Sequence, residues 1–387
     1  MRIWPRTSPR APEGPALTPP PVPEVSVVIP TRNRARSLER TLAALAMQSL
    51  PPTRFEVLVA ANGCTDGTAA LVRARRDAPA VRLVEQPTAS MSRARNQGAS
   101  AARGHVLVFL DDDVEPVPGF LAAHTGVHRP GTNLVAVGPL LVPASDRPRS
   151  LLSQRLHSLD DDFARLLAST TSLDWTCMTG GNVSMSRALF EEIGGFDPAI
   201  GTYGSEDYEF ALRAAKAGAR FAFLPDAGGY HHRRDDDSLA AYLRRGRSMG
   251  RNDAAFAPRH PEMVDRLKLG LIDRPHRRIG RIGRTLAFDR PRTGDAAASG
   301  LLLVAWTLAT MGWRGGWNRL VDGLHQYWYF RGVADQVGNG RAVVALLDEL
   351  RLRRPGPAWY AAADGHPRAR PSHAGPSPSV RARVAPR

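Results

Sequence analysis

The stretch VLVFLDDD, residues 106–113, decides the fold. Its first five residues, Val106 to Leu110, are apolar without a break, as a strand covered on both faces must be. Three aspartates follow at once. Toward the N-terminus other expected strands recur: the β-branched run Val25 to Ile29, stopped by Pro30, then Phe55 to Ala60 and Val81 to Glu85. Helical patterns lie between them. Leu38, Leu42 and Leu45 recur at helical spacing after a cap at Ser37, and further helices are expected over 66–78 and 92–102. Strands at intervals of roughly 25 to 30 residues with helices between them predict βαβ units and a parallel sheet. Ligands of such sheets bind beyond the carboxyl ends of the strands, so the residues just after each strand carry the functional reading.

The chain has 387 residues, which suggests two domains or one large α/β domain with appendages. Hydrophobic residues at 43% and charged residues at 23% exclude wholesale disorder and collagen-like repeats. Lys and Arg exceed Asp and Glu by 15, with only Lys216 and Lys268 as lysines. That balance favours anionic partners such as nucleotide phosphates, anionic lipid or nucleic acid, without choosing among them. Two cysteines, Cys64 and Cys177, exclude a disulfide scaffold and a four-thiolate zinc site, and suit a reducing compartment. No apolar segment precedes residue 24 in the manner of a secretory signal. The longest apolar run, Leu301 to Trp313, is shorter than the roughly 20 residues a spanning helix needs. The expected organisation is a disordered Pro/Arg-rich leader at 1–23, an α/β domain at 24–235, a helical region at 236–365 and a disordered Arg/Pro-rich tail at 366–387. A cytoplasmic chain is expected, peripheral at the inner face of the membrane if it meets lipid at all.

Four constellations could carry chemistry. Asp111, Asp112 and Asp113 end a buried strand, where adjacent carboxylates need a cation. A hard divalent ion would serve and could carry a diphosphate. The other triple-Asp runs, 160–162 and 235–237, each precede a helical pattern and are read as helix N-terminal carboxylates. Ser205, Glu206 and Asp207 open a helix that Gly218 stops, which sets two carboxylates in a first turn whose dipole helps keep them ionised. Gly180, Gly181 and Asn182 permit close backbone approach or make a tight turn. His231 and His232 follow the strand Phe221 to Leu224, and one imidazole could join a carboxylate-held metal.

In order, these residues resemble a family 2 glycosyltransferase of the inverting GT-A fold over residues 24–235. The resemblance rests on VSVVIPTRNR at 25–34, NGCTDGT at 62–68, SRARNQG at 92–98, Asp111 to Asp113, Gly180 to Asn182, GGFD at 194–197 and Glu206-Asp207. It implies a mostly parallel sheet flanked by helices. It also implies sugar transfer, with inversion, from a nucleotide-diphosphate sugar to a hydroxyl of a carbohydrate or lipid-linked acceptor, in polysaccharide or glycolipid biosynthesis. On this likeness Pro30, Thr31, Arg32, Asn62, Asp66, Arg95, Asp111, Asp112, Gly181 and Asn182 would line the donor site. Asp111, Asp113 and His231, the last preferred over His232, would hold Mg²⁺ or Mn²⁺. Asp207 would be the base, with Glu206 orienting it or the acceptor. One departure stands out. The family commonly has an acid just before the Asn-Gly pair, contacting the nucleobase, and here that position is Ala61. Asn62 becomes the expected polar replacement, and uracil, thymine and guanine donors stay open.

The rivals are weaker. A sugar-1-phosphate nucleotidyltransferase would open with a glycine-rich loop, and 30–34 contains no glycine. A nucleic-acid binder would concentrate its arginines, which here are spread along the chain. An inactive sugar-binding member of the same fold would not need Asp113, Glu206 and Asp207. The basic stretch 266–292 followed by Leu301 to Trp313 leaves two readings, peripheral contact with an anionic membrane or the core of the helical region.

Overall fold

The computed structural model describes residues 22–76, 79–143, 150–169, 173–200, 204–232, 238–264, 267–272 and 278–353. The expected tail, Asp235 to Asp237 and all but the last two residues of the expected leader lie outside the described residues.

The first half alternates: β1 (Val25–Thr31), α1 (Ala35–Ala46), β2 (Phe55–Asn62), α2 (Thr68–Ala74), β3 (Ala80–Gln86), α3 (Met91–Ala101) and β4 (Val106–Leu110). These strands pair in parallel in the order β3-β2-β1-β4. Every residue of β1, β2 and β4 is buried; β4 is apolar throughout, while the buried Ser26 of β1 donates to Glu56 of β2 at 2.9 Å. Pro30 does not stop β1. The pairing with β4 ends at Val28 and Phe109, while that with β2 continues to Thr31 and Ala61, so Pro30 sits where one side of the ladder is already free. The helix that follows starts at Ala35 with Arg34 at its cap, so Ser37 lies inside it.

Mixed pairing replaces parallel pairing beyond β4. In chain order come β5 (Val114–Pro116), α4 (Phe120–Val127), β6 (Leu134–Val137), β7 (Leu140–Leu141), α5 (Leu151–Ser169), β8 (Asn182–Ser186), α6 (Arg187–Ile193), α7 (Glu206–Lys216), β9 (Arg220–Phe223) and β10 (Gly229–His231). β8 lies antiparallel between β4 and β6, and β9 closes the seven-stranded sheet beside β6. A small second sheet, β5-β10-β7, sets His231 opposite Val114. The topology thus returns the end of β10 to the aspartates after β4.

Apolar layers cover both faces of the large sheet. One gathers Phe109, Phe190, Phe196 and Phe210, with ring centroids 4.6 to 5.9 Å apart. The other gathers Leu38, Leu42, Leu45 and Phe120. The expected helical region follows as α8 (Leu239–Phe256), α9 (Arg278–Phe288), α10 (Pro291–Thr310), α11 (Arg314–Val337) and α12 (Gly340–Leu352). α8 and α11 touch backbone to backbone. A Cβ on Gly250 would lie 2.0 Å from the Tyr329 carbonyl oxygen, and one on Gly332 would lie 1.9 Å from that of Arg247. Leu152 and Leu156 of α5 pack with Ala305, Trp317 and Val321, tying the sheet domain to the helices.

That contact corrects one expectation. Because Leu152 and Leu156 already bury an apolar face, α5 begins at Leu151, and Asp160, Asp161 and Asp162 fall in its middle instead of its first turn. The run Leu301 to Trp313 divides. Ala305 is buried, while Leu303, Val304, Trp306, Met311 and Trp313 face outward, so the run is not simply core. Among the described residues no helix is long and apolar enough to cross a membrane.

Candidate functional site

The cation that the three aspartates need is supplied in part by the protein itself. Arg34, just before α1, puts one guanidinium nitrogen 2.8 Å from Asp112 Oδ1 and 2.6 Å from Asp113 Oδ2. Thr31 Oγ1 donates to the other oxygen of Asp112 at 2.6 Å, and Thr41 Oγ1 donates to its carbonyl at 3.0 Å. Asp112 is therefore an internal anchor between β1, α1 and β4, with both oxygens engaged, and this corrects its assignment to the donor site. Thr31 is buried in the same contact, and Pro30 is buried in β1; Arg32 is exposed in the turn after it. Burial pushes Asp112 up to about 6 against the pull of Arg34. Asp113 is equally buried, but His231 and Arg34 hold it well below the usual carboxylate range, so it is the member of the pair that stays ionised.

His231 and His232 separate clearly. His231 Nε2 stands 3.5 Å from Asp113 Oδ1, and its Nδ1 stands 3.5 Å from Asp160 Oδ2 on α5. His232 turns to Glu115 at 2.6 Å, and its backbone N–H donates to the Asp113 carbonyl at 2.8 Å. Asp111 points elsewhere, toward Arg95 at 3.3 Å. Among the described residues no three carboxylate, imidazole or thiol groups converge as a ready-made metal cage. Mg²⁺-type sites commonly use one or two carboxylates plus substrate phosphates, and Asp113 with His231 fits that smaller donor set.

The glycine pair has a local reason. A Cβ on Gly180 would lie 2.7 Å from Arg95 Nη2, and one on Gly181 would lie 2.6 Å from Asp111 Oδ2. The two glycines make room for the Arg95–Asp111 pair. Asn182 corrects another expectation: it is fully buried, with its side-chain amide engaged inside the fold. Its amide donates to the Pro139 and Ala227 carbonyls, and its Oδ1 accepts from His124 Nε2 at 2.9 Å. That donation fixes the His124 tautomer, so its Nδ1 accepts from Ser184 Oγ at 2.8 Å. Burial lowers the His124 pKa to about 3, which keeps this chain neutral.

Arg95, on α3, joins the two carboxylate groups of the site. Its guanidinium is buried, donates to Glu206 Oε1 at 2.9 Å, and lies 5.3 Å from the Phe196 ring centroid. Burial opposes its charge, but Glu206, Asp111 and Asp207 keep it protonated. Asp207, beside Glu206 in the first turn of α7, accepts from the Tyr208 N–H at 2.9 Å and the Gly180 N–H at 3.4 Å. Burial and the neighbouring Glu206 charge push Asp207 up to about 7, outweighing Arg95. This is opposite in sign to the sequence expectation that the helix dipole holds the carboxylate low. Glu206 Oε2 and Thr179 Oγ1 are buried without a hydrogen-bond partner among the described residues.

Ser205 sits at the cap position of α7, as expected, but in a left-handed conformation (φ 72°) and without a capping bond. Its hydroxyl donates instead to Asp253 Oδ1 on α8 at 2.5 Å, and Tyr329 of α11 donates to the other oxygen at 2.5 Å. Next to it, Asn252 Nδ2 donates to the Gly204 carbonyl. The C-terminal helices therefore hold the turn that presents Glu206 and Asp207. Sequence reasoning missed this, because Asp253 lies 46 residues beyond Asp207 in no motif.

A cavity of about 350 Å³ opens at the ends of β2 and β3, lined by Ala61, Gly63, Cys64, Thr65, Glu85, Gln86 and Pro87. Asn62 does not line it. Its side-chain oxygen accepts from Gln86 Nε2 at 2.5 Å and the Ser90 N–H at 2.6 Å, pinning β3 to the start of α3. The acid at the cavity is Glu85, which lies directly across from Ala61 in the β2–β3 register. Asp66 caps α2 through Thr68, and its oxygens reach no described cleft residue beyond the Ala35 N–H.

Residues 26–194 match the model of glycosyl transferase family 2, and residues 164–236 match that of the N-terminal domain of galactosyltransferase. A validoxylamine A glucosyltransferase of Streptomyces hygroscopicus subsp. limoneus is 30% identical, over 65% of this chain and 60% of that protein. A pre-mycofactocin glycosyltransferase of Mycobacterium tuberculosis is 27% identical, over 66% of this chain and 51% of that protein. A chondroitin synthase of Escherichia coli is 27% identical, over 54% of this chain and 34% of that protein. The chain thus spans three fifths or less of the length of these relatives.

Proposed function

We propose that this chain, whose residues 26–194 match the model of glycosyl transferase family 2, moves a sugar from a nucleotide-diphosphate donor to an acceptor hydroxyl with inversion. One observation carries this reading. The buried Arg95 ties Asp111, at the end of β4, to Glu206, beside Asp207 at the start of α7. A donor-side carboxylate and a candidate base are thereby held toward one cleft.

In the reading, Asp113 and His231 would hold Mg²⁺ or Mn²⁺, which when bound would act as a Lewis acid on the departing diphosphate. Asp207 accepts the proton of the acceptor hydroxyl as the new carbon–oxygen bond forms on one face of the sugar. The bond to the diphosphate oxygen breaks on the opposite face, and its electron pair leaves with the nucleotide. A base titrating near neutrality suits this task better than a fully acidic carboxylate, because it takes a proton readily while still ionised. The unpartnered Glu206 Oε2 and Thr179 hydroxyl are polar positions where acceptor hydroxyls could bind. Arg34 and His231 hold Asp113 ionised before the donor arrives, and Arg95 donates to Glu206.

The base of the donor would enter the cavity at the ends of β2 and β3, where Glu85, and not Asn62, would accept from a base N–H. Uracil, thymine and guanine all offer one. The relatives include a glucosyltransferase and a chondroitin synthase, which supports a carbohydrate or lipid-linked acceptor. The division into a catalytic domain at 24–235 and a helical region at 236–365 belongs to the same reading. Nucleotide release from UDP-, dTDP- and GDP-sugars, with and without Mn²⁺, tests it. Release from none of them by folded protein, whatever acceptor is offered, would overturn it.

A further inference from the structure

Thirteen large apolar side chains are exposed among the described residues, and six of them fall between 301 and 313. They are Leu301, Leu303, Val304, Trp306, Met311 and Trp313, on the second half of α10 and the corner that leads into α11. Four are more exposed than buried: Leu303 at 68%, Trp306 at 65%, Met311 at 71% and Trp313 at 59%. Isolated exposed apolar residues need no explanation, but a contiguous set on one element does. The opposite side of α10 already has its partners. Ala298 joins the core around Tyr329, and Ala305 packs with Trp317 and Val321. The outward face is a second face, left over after the bundle has formed.

Charge indicates what covers it. Arg290 and Arg292 are exposed at the start of α10, and Arg314 and Arg319 are exposed just past its end. The single acid between residues 290 and 321 is Asp295, which is half-buried and paired, accepting from Tyr327 at 2.6 Å and Arg331 at 3.0 Å; Asp289, beside Arg290, is exposed. A face with an apolar centre, two tryptophans and four exposed arginines at its ends against one exposed acid, Asp289, complements an anionic lipid surface. A twenty-residue helix is about 30 Å long, so its ends can reach separate headgroups while the centre lies among acyl chains. Tryptophan is the side chain most at home at that boundary.

We infer that this chain docks on anionic lipid through the outer face of α10 and the α10–α11 corner, lying on the bilayer without entering it as a span. The inference does not depend on the base, metal or donor assigned above. It gives the expected peripheral contact a defined surface: 301–313 with its flanking arginines, and not the whole stretch from 266.

The test is co-sedimentation of the full chain with vesicles of phosphatidylcholine and phosphatidylglycerol, against phosphatidylcholine alone. Binding is expected to the first and to be much weaker with the second. Leu303→Ser with Trp306→Ser should weaken partition at least about tenfold, since each removed side chain otherwise buries apolar surface in lipid. Both residues are exposed, so thermal stability should not change. Arg292→Gln with Arg314→Gln should weaken binding to the anionic vesicles and flatten its salt dependence. If the wild-type chain stays in solution at low salt, the inference fails. If the Leu303/Trp306 variant binds as the wild type does, basic segments alone make the contact, and the inference fails. A concentration-dependent dimer that the same substitutions abolish, with no vesicle binding, would identify a second copy as the occupant and likewise overturn it.

Discussion

Asp207→Asn should make the protein more stable and nearly inactive, with a stability gain that depends on pH. The Asp207 carboxyl rises from its ordinary 3.8 to about 7 in the folded chain because it is buried beside Glu206. One pKa unit corresponds to about 1.36 kcal/mol, so holding this group ionised costs the fold up to about 4 kcal/mol. Since the folded pKa lies above the unfolded one, the stability present below the ordinary pKa is lost as pH rises toward 7, and the loss is complete above that. Asparagine never ionises and so avoids this loss. It keeps the 2.9 Å bond from the Tyr208 N–H but sets an amide NH₂ against the Gly180 N–H, forfeiting a long 3.4 Å bond. Such a bond is worth about 1 kcal/mol, which leaves a net gain of about 3 kcal/mol at pH 8 and less at pH 5. Urea unfolding of both proteins at the two pH values measures this. Nucleotide release, measured alongside, should fall by about 10² to 10⁴-fold, the usual contribution of a side-chain base, with donor affinity little changed. A variant less stable than wild type at pH 8, or a gain that does not grow with pH, refutes the electrostatic argument. Near wild-type turnover refutes the role as base.

Turnover of the wild type should fall as pH drops through about 7, because only ionised Asp207 can accept a proton; a rate flat from pH 8 to 5 argues against this assignment. Asp113→Asn should abolish Mn²⁺ binding measured by calorimetry with the nucleoside diphosphate present. Asp160→Asn, which removes the carboxylate beside the far nitrogen of His231, should weaken it by about 10 to 100-fold, while the exposed Asp161→Asn should not. Glu85→Gln should raise KM for the preferred nucleotide-sugar more than it lowers kcat; equal donor kinetics would remove Glu85 from base recognition. Asp253→Ala should lower kcat with donor KM unmoved, because it releases Ser205 and with it the turn before Glu206, and Asp253→Asn should recover part of the rate. A variant that melts earlier but turns over normally would confine Asp253 to structure.

The parts of the fold that were legible are those that local pattern determines. Val106 to Leu110 is buried on both faces, so its sequence is apolar at every position, and β4 has the bounds expected. β1, β2 and β3, marked by β-branched residues between helical patterns, were located to within two residues at each end, although β3 is only partly buried. Pairing that depends on distant chain was not legible. Nothing in VSMS at 183–186 distinguishes a strand antiparallel to both neighbours from a parallel one. Similarly, the triple-Asp run at 160–162 invites a helix start, yet its helix begins at Leu151 because the apolar partners of Leu152 and Leu156 lie in α10 and α11, some 150 residues away.

The site was misread for a related reason. Three carboxylates at a strand end need positive charge, and a sequence without coordinates suggests one external ion for all three. In the folded chain the charge is divided. Arg34 takes Asp112 and one oxygen of Asp113, and Arg95 takes Asp111 and continues to Glu206. What is left facing an imidazole is one carboxylate oxygen, Asp113 Oδ1 beside His231. On the proposed reading, that leaves Asp113 and His231, and not Asp111, as the protein donors to a metal. Arg95 also links the end of β4 to the start of α7. Neutralising Arg95 would leave Asp111 and Glu206 unpaired together, and the loss of its partner's charge would push Asp207 higher still, since Arg95 is what opposes burial there. An Arg95→Met chain that folds should therefore show its acid limb moved to higher pH as well as a lower rate. Those two effects together would not arise from damage confined to the donor side.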